Sequence, residues 1–154
     1  MNATGMDGKF SNPAPDAIRA LLSSARTVAV VGFSPKPQRA SHNIARQLQR
    51  MGMRVVPVRP KLKEGLNETA YPDLAAAVAG LGPGSPIDLV NVFRAPEHVP
   101  ALVDECLALG LKAIWLQDGV VDEASALRAQ AAGMLVVMDR CIMHDYTRLC
   151  DSKV

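Results

Sequence analysis

No apolar run in this 154-residue chain approaches the roughly 18 residues that a membrane-spanning helix needs, and the first ten residues lack the apolar core of a secretory signal. A cytoplasmic protein is expected. Cysteines number only three, Cys106, Cys141 and Cys150. An odd count without zinc-finger spacing fits reduced thiols, not a disulfide framework, and provides no metal site. Aromatic residues are also few, one Trp, two Tyr and three Phe. With no RNA or DNA motif beside them, nucleic acid is not an expected partner. The most informative absence is electrostatic. Residues 17–63 contain no Asp or Glu, yet hold ten bases: Arg19, Arg26, Lys36, Arg39, Arg46, Arg50, Arg54, Arg59, Lys61 and Lys63. The whole chain nets only +2. Its other seven bases face all fifteen acids, so a near-neutral total conceals a basic segment suited to an anion.

What is present is a regular alternation. Asn12-Pro13 reads as an N-cap followed by proline in the first turn, and Ile18, Leu21, Leu22 and Ala25 repeat at helical spacing. Residues 27–31, Thr-Val-Ala-Val-Val, form a β-branched run without polar alternation, as in a parallel strand covered on both faces. Gly32 ends it. Ile44, Leu48 and Met51 mark a helix that Gly52 terminates, and residues 53–58 are a second strand. Further strands are expected over residues 87–93, 111–116 and 134–138, separated by helices opening at Pro72-Asp73, Pro96 and Asp122. A closing helix covers residues 141–149. Five strands with four helical crossovers give an α/β protein of three layers, a parallel sheet with helices on both faces. The expected strand order is 3-2-1-4-5. Residues 13–150 read as one domain after a flexible N-terminus of residues 1–12.

In an open parallel sheet, ligands bind at the carboxyl ends of the strands, where strand order reverses. The loop Gly32-Phe33-Ser34-Pro35-Lys36-Pro37-Gln38-Arg39-Ala40-Ser41 leads there into a helix N-terminus, whose free amides favour phosphate. Gly32 allows close backbone approach, Ser34 and Ser41 offer hydroxyls, and Lys36 and Arg39 offer charge. The loop is not a dinucleotide fingerprint. It has one glycine where three are needed, and the second strand ends at Arg59 where an acid would hold a ribose. An arginine there suits an extra ribose phosphate, as in NADP or coenzyme A (CoA). Arg94 just after the third strand is a candidate anion clamp whose alternative is an ion pair with Glu97. Phe93 is a candidate to stack on a base, or a core residue.

These residues also resemble a family. Val28-Ala29-Val30-Val31-Gly32-Phe33-Ser34-Pro35-Lys36-Pro37, with Arg39 and Ser41-His42, is similar to the opening of the small bacterial stand-alone CoA-binding proteins, relatives of the CoA-binding domain of the succinyl-CoA synthetase alpha subunit. Val56-Pro57-Val58-Arg59-Pro60, Asp88-Leu89-Val90-Asn91-Val92-Phe93-Arg94, Ala113-Ile114-Trp115-Leu116-Gln117 and Val137-Met138-Asp139-Arg140-Cys141 resemble its later signatures in order. The resemblance implies a Rossmann-like fold binding CoA or an acyl-CoA, with no established reaction. It implies pyrophosphate over Gly32, Ser34 and the helix at Ser41-His42, and adenosine near Arg59-Pro60. Phe93, Arg94 and Gln117 would line the rest. The family usually has Asn-Pro where this chain has Arg59-Pro60.

The expected function is therefore CoA binding by a carrier, sensor or regulatory module without evident catalysis, and with a protein partner left open. The alternative is an NADP-dependent oxidoreductase, which needs a catalytic Tyr or Lys; Tyr71 and Tyr146 are the only tyrosines. A third reading uses Cys141 as a nucleophile on acyl-CoA, with His144 and Asp145 on the same helix face. Trp115, inside an apolar strand, is expected in the core, and Gln117 at the strand end is expected to be exposed.

Overall fold

A computed structural model describes residues 9–150. The elements in chain order are α1 (Pro15–Ser24), β1 (Thr27–Val31), α2 (Ala40–Arg50), β2 (Arg54–Val58), a short hairpin of β3 (Glu64–Gly65) and β4 (Glu68–Thr69), and α3 (Leu74–Leu81). They continue with β5 (Leu89–Val92), a 3-10 turn (Pro96–His98) running into α4 (Val99–Ala108), β6 (Ala113–Leu116), α5 (Glu123–Ala131), β7 (Leu135–Met138) and α6 (Ile142–Cys150). Asp73 and Asp122 cap α3 and α5, accepting from the amides of Ala76 and Ser125. None of the helices among the described residues is long and apolar enough to cross a membrane.

The five long strands form one parallel sheet, in the order β2-β1-β5-β6-β7. Expressed by the five expected strands this is 2-1-3-4-5, which corrects the expected 3-2-1-4-5. The physical reason lies in Pro57. Arg54 N bonds Arg26 O and Val58 O receives Gly32 N, so the alternation of a parallel strand turns residues 54 and 58 toward β1 and Pro57 outward. Proline has no N–H to give a second neighbour, which confines β2 to the edge. At the other side of β1, Asp88 fixes the neighbour. Its carboxylate accepts from the amides of Arg26 and Thr27 at 2.9 and 3.0 Å, seating β5 beside β1.

Each face of the sheet carries its own apolar cluster. One is covered by α3, α4 and α5 through Leu74, Ala77, Val99, Val103, Cys106 and Ala126. The other is covered by α1, α2 and α6 through Ile18, Leu22, Ala45, Leu48 and Ile142, with Trp115 fully buried among them as expected. The Trp115 indole N–H is satisfied by Arg140 O at 2.8 Å.

The N-terminus differs from expectation. α1 starts at Pro15 with Ala14 at the N-cap. Asn12 does not cap it; its amide group instead bonds both Met138 O, at 3.0 Å, and Met138 N, at 2.8 Å. A carboxamide presents a donor and an acceptor side by side, so it can occupy the end of the exposed β7 edge as a neighbouring strand would. Phe10 N donates to Glu123 Oε2. The flexible segment was expected over residues 1–12, of which 1–8 lie outside the described residues.

α6 is locked by charge. Asp145 is almost fully buried, and Arg140 grips it through two bonds of 2.6 and 2.7 Å while Arg148 adds a third at 3.4 Å. Burial opposes the charge of Asp145, but Arg140 and then Arg148 outweigh it and hold the carboxyl below its usual range. A lowered folded-state value means stabilisation present above the ordinary Asp pKa and lost as pH falls through the folded one. Asp145→Asn should therefore cost about 2–3 kcal/mol at neutral pH. Urea unfolding checks this, and the gap from the native chain should close in acid. An unchanged midpoint at neutral pH would remove the lock from the account.

Candidate functional site

The carboxyl edge opens between β2 on one side of β1 and β5 on the other. Gly32 sits at that fork with φ +88°, its amide bonded to Val58 O at 3.0 Å, while Phe93 N reaches Val31 O at 2.8 Å. A Cβ at Gly32 would stand 2.9 Å from Phe93 O. The glycine is thus demanded by the left-handed backbone and by the neighbouring strand end, before any ligand is considered.

Two adjoining cavities occupy the fork. The first, about 510 Å³, is lined by Gly32, Arg59, Pro60, Phe93 and Arg94 and extends between α3 and α4 to Asp73, Leu74, Leu102 and Glu105. The second, about 340 Å³, is lined by Gly32, Ser34, Lys36, Arg39, Ser41, Arg59 and Phe93. Gly32, Arg59 and Phe93 border both. The structure therefore brings together nine of the sequence-derived candidates in one bipartite groove: Gly32, Ser34, Lys36, Arg39, Ser41, Arg59, Pro60, Phe93 and Arg94.

The second cavity has anion chemistry. Arg39 is the N-cap of α2, with no side-chain capping bond and no acidic residue in the first turn. The positive end of the helix is accordingly left for another group to meet. The serines organise the loop: Ser41 Oγ accepts from Ser34 N at 2.9 Å, and Ser34 Oγ accepts from Lys36 N at 3.2 Å. Arg59 spans the junction, its Nη1 donating to Phe33 O at 3.2 Å. No ion pair joins Arg94 to Glu97 among the described residues, and the Arg94 side chain lies across Gly32 on the cavity wall.

Three candidates act differently from expectation. The Phe33 side chain is fully buried, and a Cβ on Gly65 of the β3-β4 hairpin would meet its ring at 2.6 Å. It anchors the loop to the core and offers no ring to a ligand. His42 lines neither cavity. Its Nδ1–H donates to Ser34 O at 3.1 Å, with the ring 5.2 Å from that of Phe33, so it positions the loop. Burial and then Arg46 keep its pKa below the usual histidine value, which favours this neutral ring. Gln117 is only 4% exposed, correcting the expected exposure. Its Oε1 accepts from Asn91 Nδ2 at 3.1 Å and from Ile142 N at 3.4 Å, because the start of α6 needs an acceptor.

Neither tyrosine lines either cavity; Tyr71 packs on Gly80 of α3, where a Cβ would collide with its ring. Asp145 is taken by two arginines and does not orient His144 as a catalytic carboxylate would. Burial, then the neighbouring Glu105, pushes the Cys106 thiol up to about 12. Sequence reasoning missed the α3 and α4 side of the groove. The Pro72-Asp73 helix start was a usable signal for α3, whereas Glu105, inside α4, carries none.

Known proteins resemble the chain over most of its length. The profile described as a CoA binding domain matches residues 26–147. The uncharacterized protein YneT of Bacillus subtilis (strain 168) is 34% identical over 133 residues, covering 86% of this chain and 94% of YneT. Among solved structures, cell-free ID.343 from Thermus thermophilus is 35% identical with a TM-score of 0.79, covering 89% of this chain and 99% of that one. Prb, a protein redesigned for binding, is 29% identical with a TM-score of 0.83, covering 94% and 98%.

Gly32→Ala should destabilise the fold by about 1–2 kcal/mol from its left-handed backbone alone, and more from the contact with Phe93. Thermal unfolding reads this directly. A native melting temperature would show that the fork relaxes freely.

Proposed function

This chain belongs to the CoA binding domain family, and from that premise we propose that it binds CoA, or an acyl-CoA, in the bipartite groove as a cytoplasmic carrier, sensor or regulatory module. The observation that carries the reading is the convergence on one fork of an uncapped helix start with Lys36, Arg39, Arg59 and Arg94. CoA brings about four negative charges on its pyrophosphate and 3′-phosphate at neutral pH. Gly32-Phe33-Ser34 and the first turn of α2 act as a phosphate-binding loop: the backbone amides and helix start take the pyrophosphate, with Lys36 and Arg39 neutralising it. Arg59, at the junction of the cavities, meets the ribose phosphate. Arg94 closes the opposite wall. The buried Phe33 and Gln117 and the half-buried His42 hold this geometry from behind the lining.

No reaction is assigned to the site. A carrier or sensor needs affinity for its ligand and access to it, and the bases along the open groove serve the first of these. Exclusive binding of NADP would instead favour the oxidoreductase reading.

Isothermal calorimetry with CoA, dephospho-CoA, NADP and NAD tests the proposal. CoA should bind, and removal of the 3′-phosphate should weaken binding about tenfold or more, since a hydrogen-bonded charge pair contributes about 1.5–3 kcal/mol. Arg59→Gln should remove most of that difference, so that CoA and dephospho-CoA bind the variant with affinities within about threefold of each other. Binding of NADP with none of CoA would overturn the reading, and equal affinity for CoA and dephospho-CoA would overturn the role of Arg59.

A further inference from the structure

The larger cavity contains more than an anion requires. Arg59 and Arg94 stand at the strand ends, whereas its α3 and α4 side passes the apolar Leu74 and Leu102 and carries two carboxylates, Asp73 and Glu105. Both are fixed by the first turn of α3. Asp73 Oδ1 accepts from Ala76 N at 2.8 Å, and Glu105 reaches across from α4 to accept from Ala75 N through Oε2 at 3.1 Å. A carboxylate has two oxygens with about four acceptor positions, so each group keeps capacity to accept after its capping bond. Glu105 is the better held of the two, being half-buried and tied to a different helix from its own.

A ligand matching this cavity is anionic at one end, apolar in the middle, and a hydrogen-bond donor at the other. We propose that Glu105 reads the base of the bound nucleotide, accepting a hydrogen from an exocyclic 6-amino group, so that the groove selects a 6-aminopurine over a 6-oxopurine. The inference rests on the CoA reading above and extends it to a specificity-determining residue. The electrostatic reason is direct. The 6-amino group of adenine is a donor, whereas the 6-oxo group of hypoxanthine is an acceptor and would set one oxygen against another. A site whose polar group is left without its partner discriminates far more strongly than one that merely fits shape.

The test compares adenosine 3′,5′-bisphosphate with inosine 3′,5′-bisphosphate by calorimetry, with CoA as the reference ligand, for the native chain and for Glu105→Gln. The glutamine keeps an oxygen for Ala75 N and can turn its NH₂ group toward the cavity, where it would donate to a 6-oxo group. The native chain is expected to bind the adenosine compound at least about tenfold more tightly. In Glu105→Gln the ratio should fall to within about threefold, or invert. A ratio within each protein is insensitive to modest changes in stability, and the native comparison requires no variant to fold. Equal binding of the two bisphosphates by a native chain that binds CoA overturns base selection alone. A preference that survives in Glu105→Gln overturns the assignment to Glu105. If neither bisphosphate nor CoA binds, the CoA reading itself falls and this inference with it.

Discussion

The functional edge depends on the sealing of β1. All five of its residues are buried, and its ladder is paired with β2 along one edge and β5 along the other. A strand so enclosed has no side chain or backbone group to spare for a ligand. Its contribution is positional: it ends where its two neighbours diverge, and the loop leaving it must rise through the fork. The bonds from Gly32 N to Val58 O and from Phe93 N to Val31 O hold the three strand ends together at that point. Arg59 and Arg94, each the first or second residue beyond its strand, consequently arrive on either side of the loop. Convergence of the bases is thus a property of the sheet, not of contacts among the bases.

Sequence periodicity revealed the elements better than their arrangement. Apolar runs and helix starts are local, and Asp73 and Asp122 cap the helices they precede. Strand order is non-local, and two residues decided it through groups that a hydrophobicity pattern ignores. Pro57 scores as one more apolar position in β2, yet its missing N–H places that strand at the edge. Asp88 looks like a polar residue before a strand, yet its carboxylate joins β5 to the start of β1. Asn12 shows the same limit: Asn followed by Pro is an ordinary helix-start signal, but the edge of β7 offered its amide two partners instead of one. The β3-β4 hairpin was concealed for another reason. Its turn places Leu66 and Asn67 at φ +52° and +64°, where glycine is the usual signal, and packing of Phe33 against Gly65 supports it from outside the segment.

At the site, the spacing of charged residues was more legible than the roles of neutral ones. Lys36, Arg39, Arg59 and Arg94 had to follow strands or precede a helix, so their edge location follows from chain order. Phe33, His42 and Gln117 occupy equally suggestive positions, but whether each faces a ligand or the core turns on one residue's rotation. Gln117 illustrates the competition. The beginning of α6 required an acceptor for Ile142 N, and buried Asn91 required an acceptor for its own amide. One side-chain oxygen serves both, which draws Gln117 inward. Such a demand arises only after β5, β6 and α6 have packed together.

The acid-free segment can now be divided by what folding does with it. Arg54 pairs with Glu68, Arg19 pairs with Asp16, and Arg46 binds Asn43 along α2. Those three are spent on local structure, and Arg50 lies at the far end of α2. Beyond about one Debye length, roughly 8 Å in physiological salt, an exposed charge contributes little to a ligand. Lys36, Arg39 and Arg59 remain at the groove, joined by Arg94 from outside the segment. The absence of acids then has a sharper meaning than the number of bases. A carboxylate in the loop after β1, or in the first turn of α2, would have paired with these bases or capped the helix start, and the segment places none there. Acids reappear at the other side of the same groove, Asp73 and Glu105, where backbone amides of α3 already engage them. The sign of the charge therefore changes across a single cavity, and a ligand must match both ends of it.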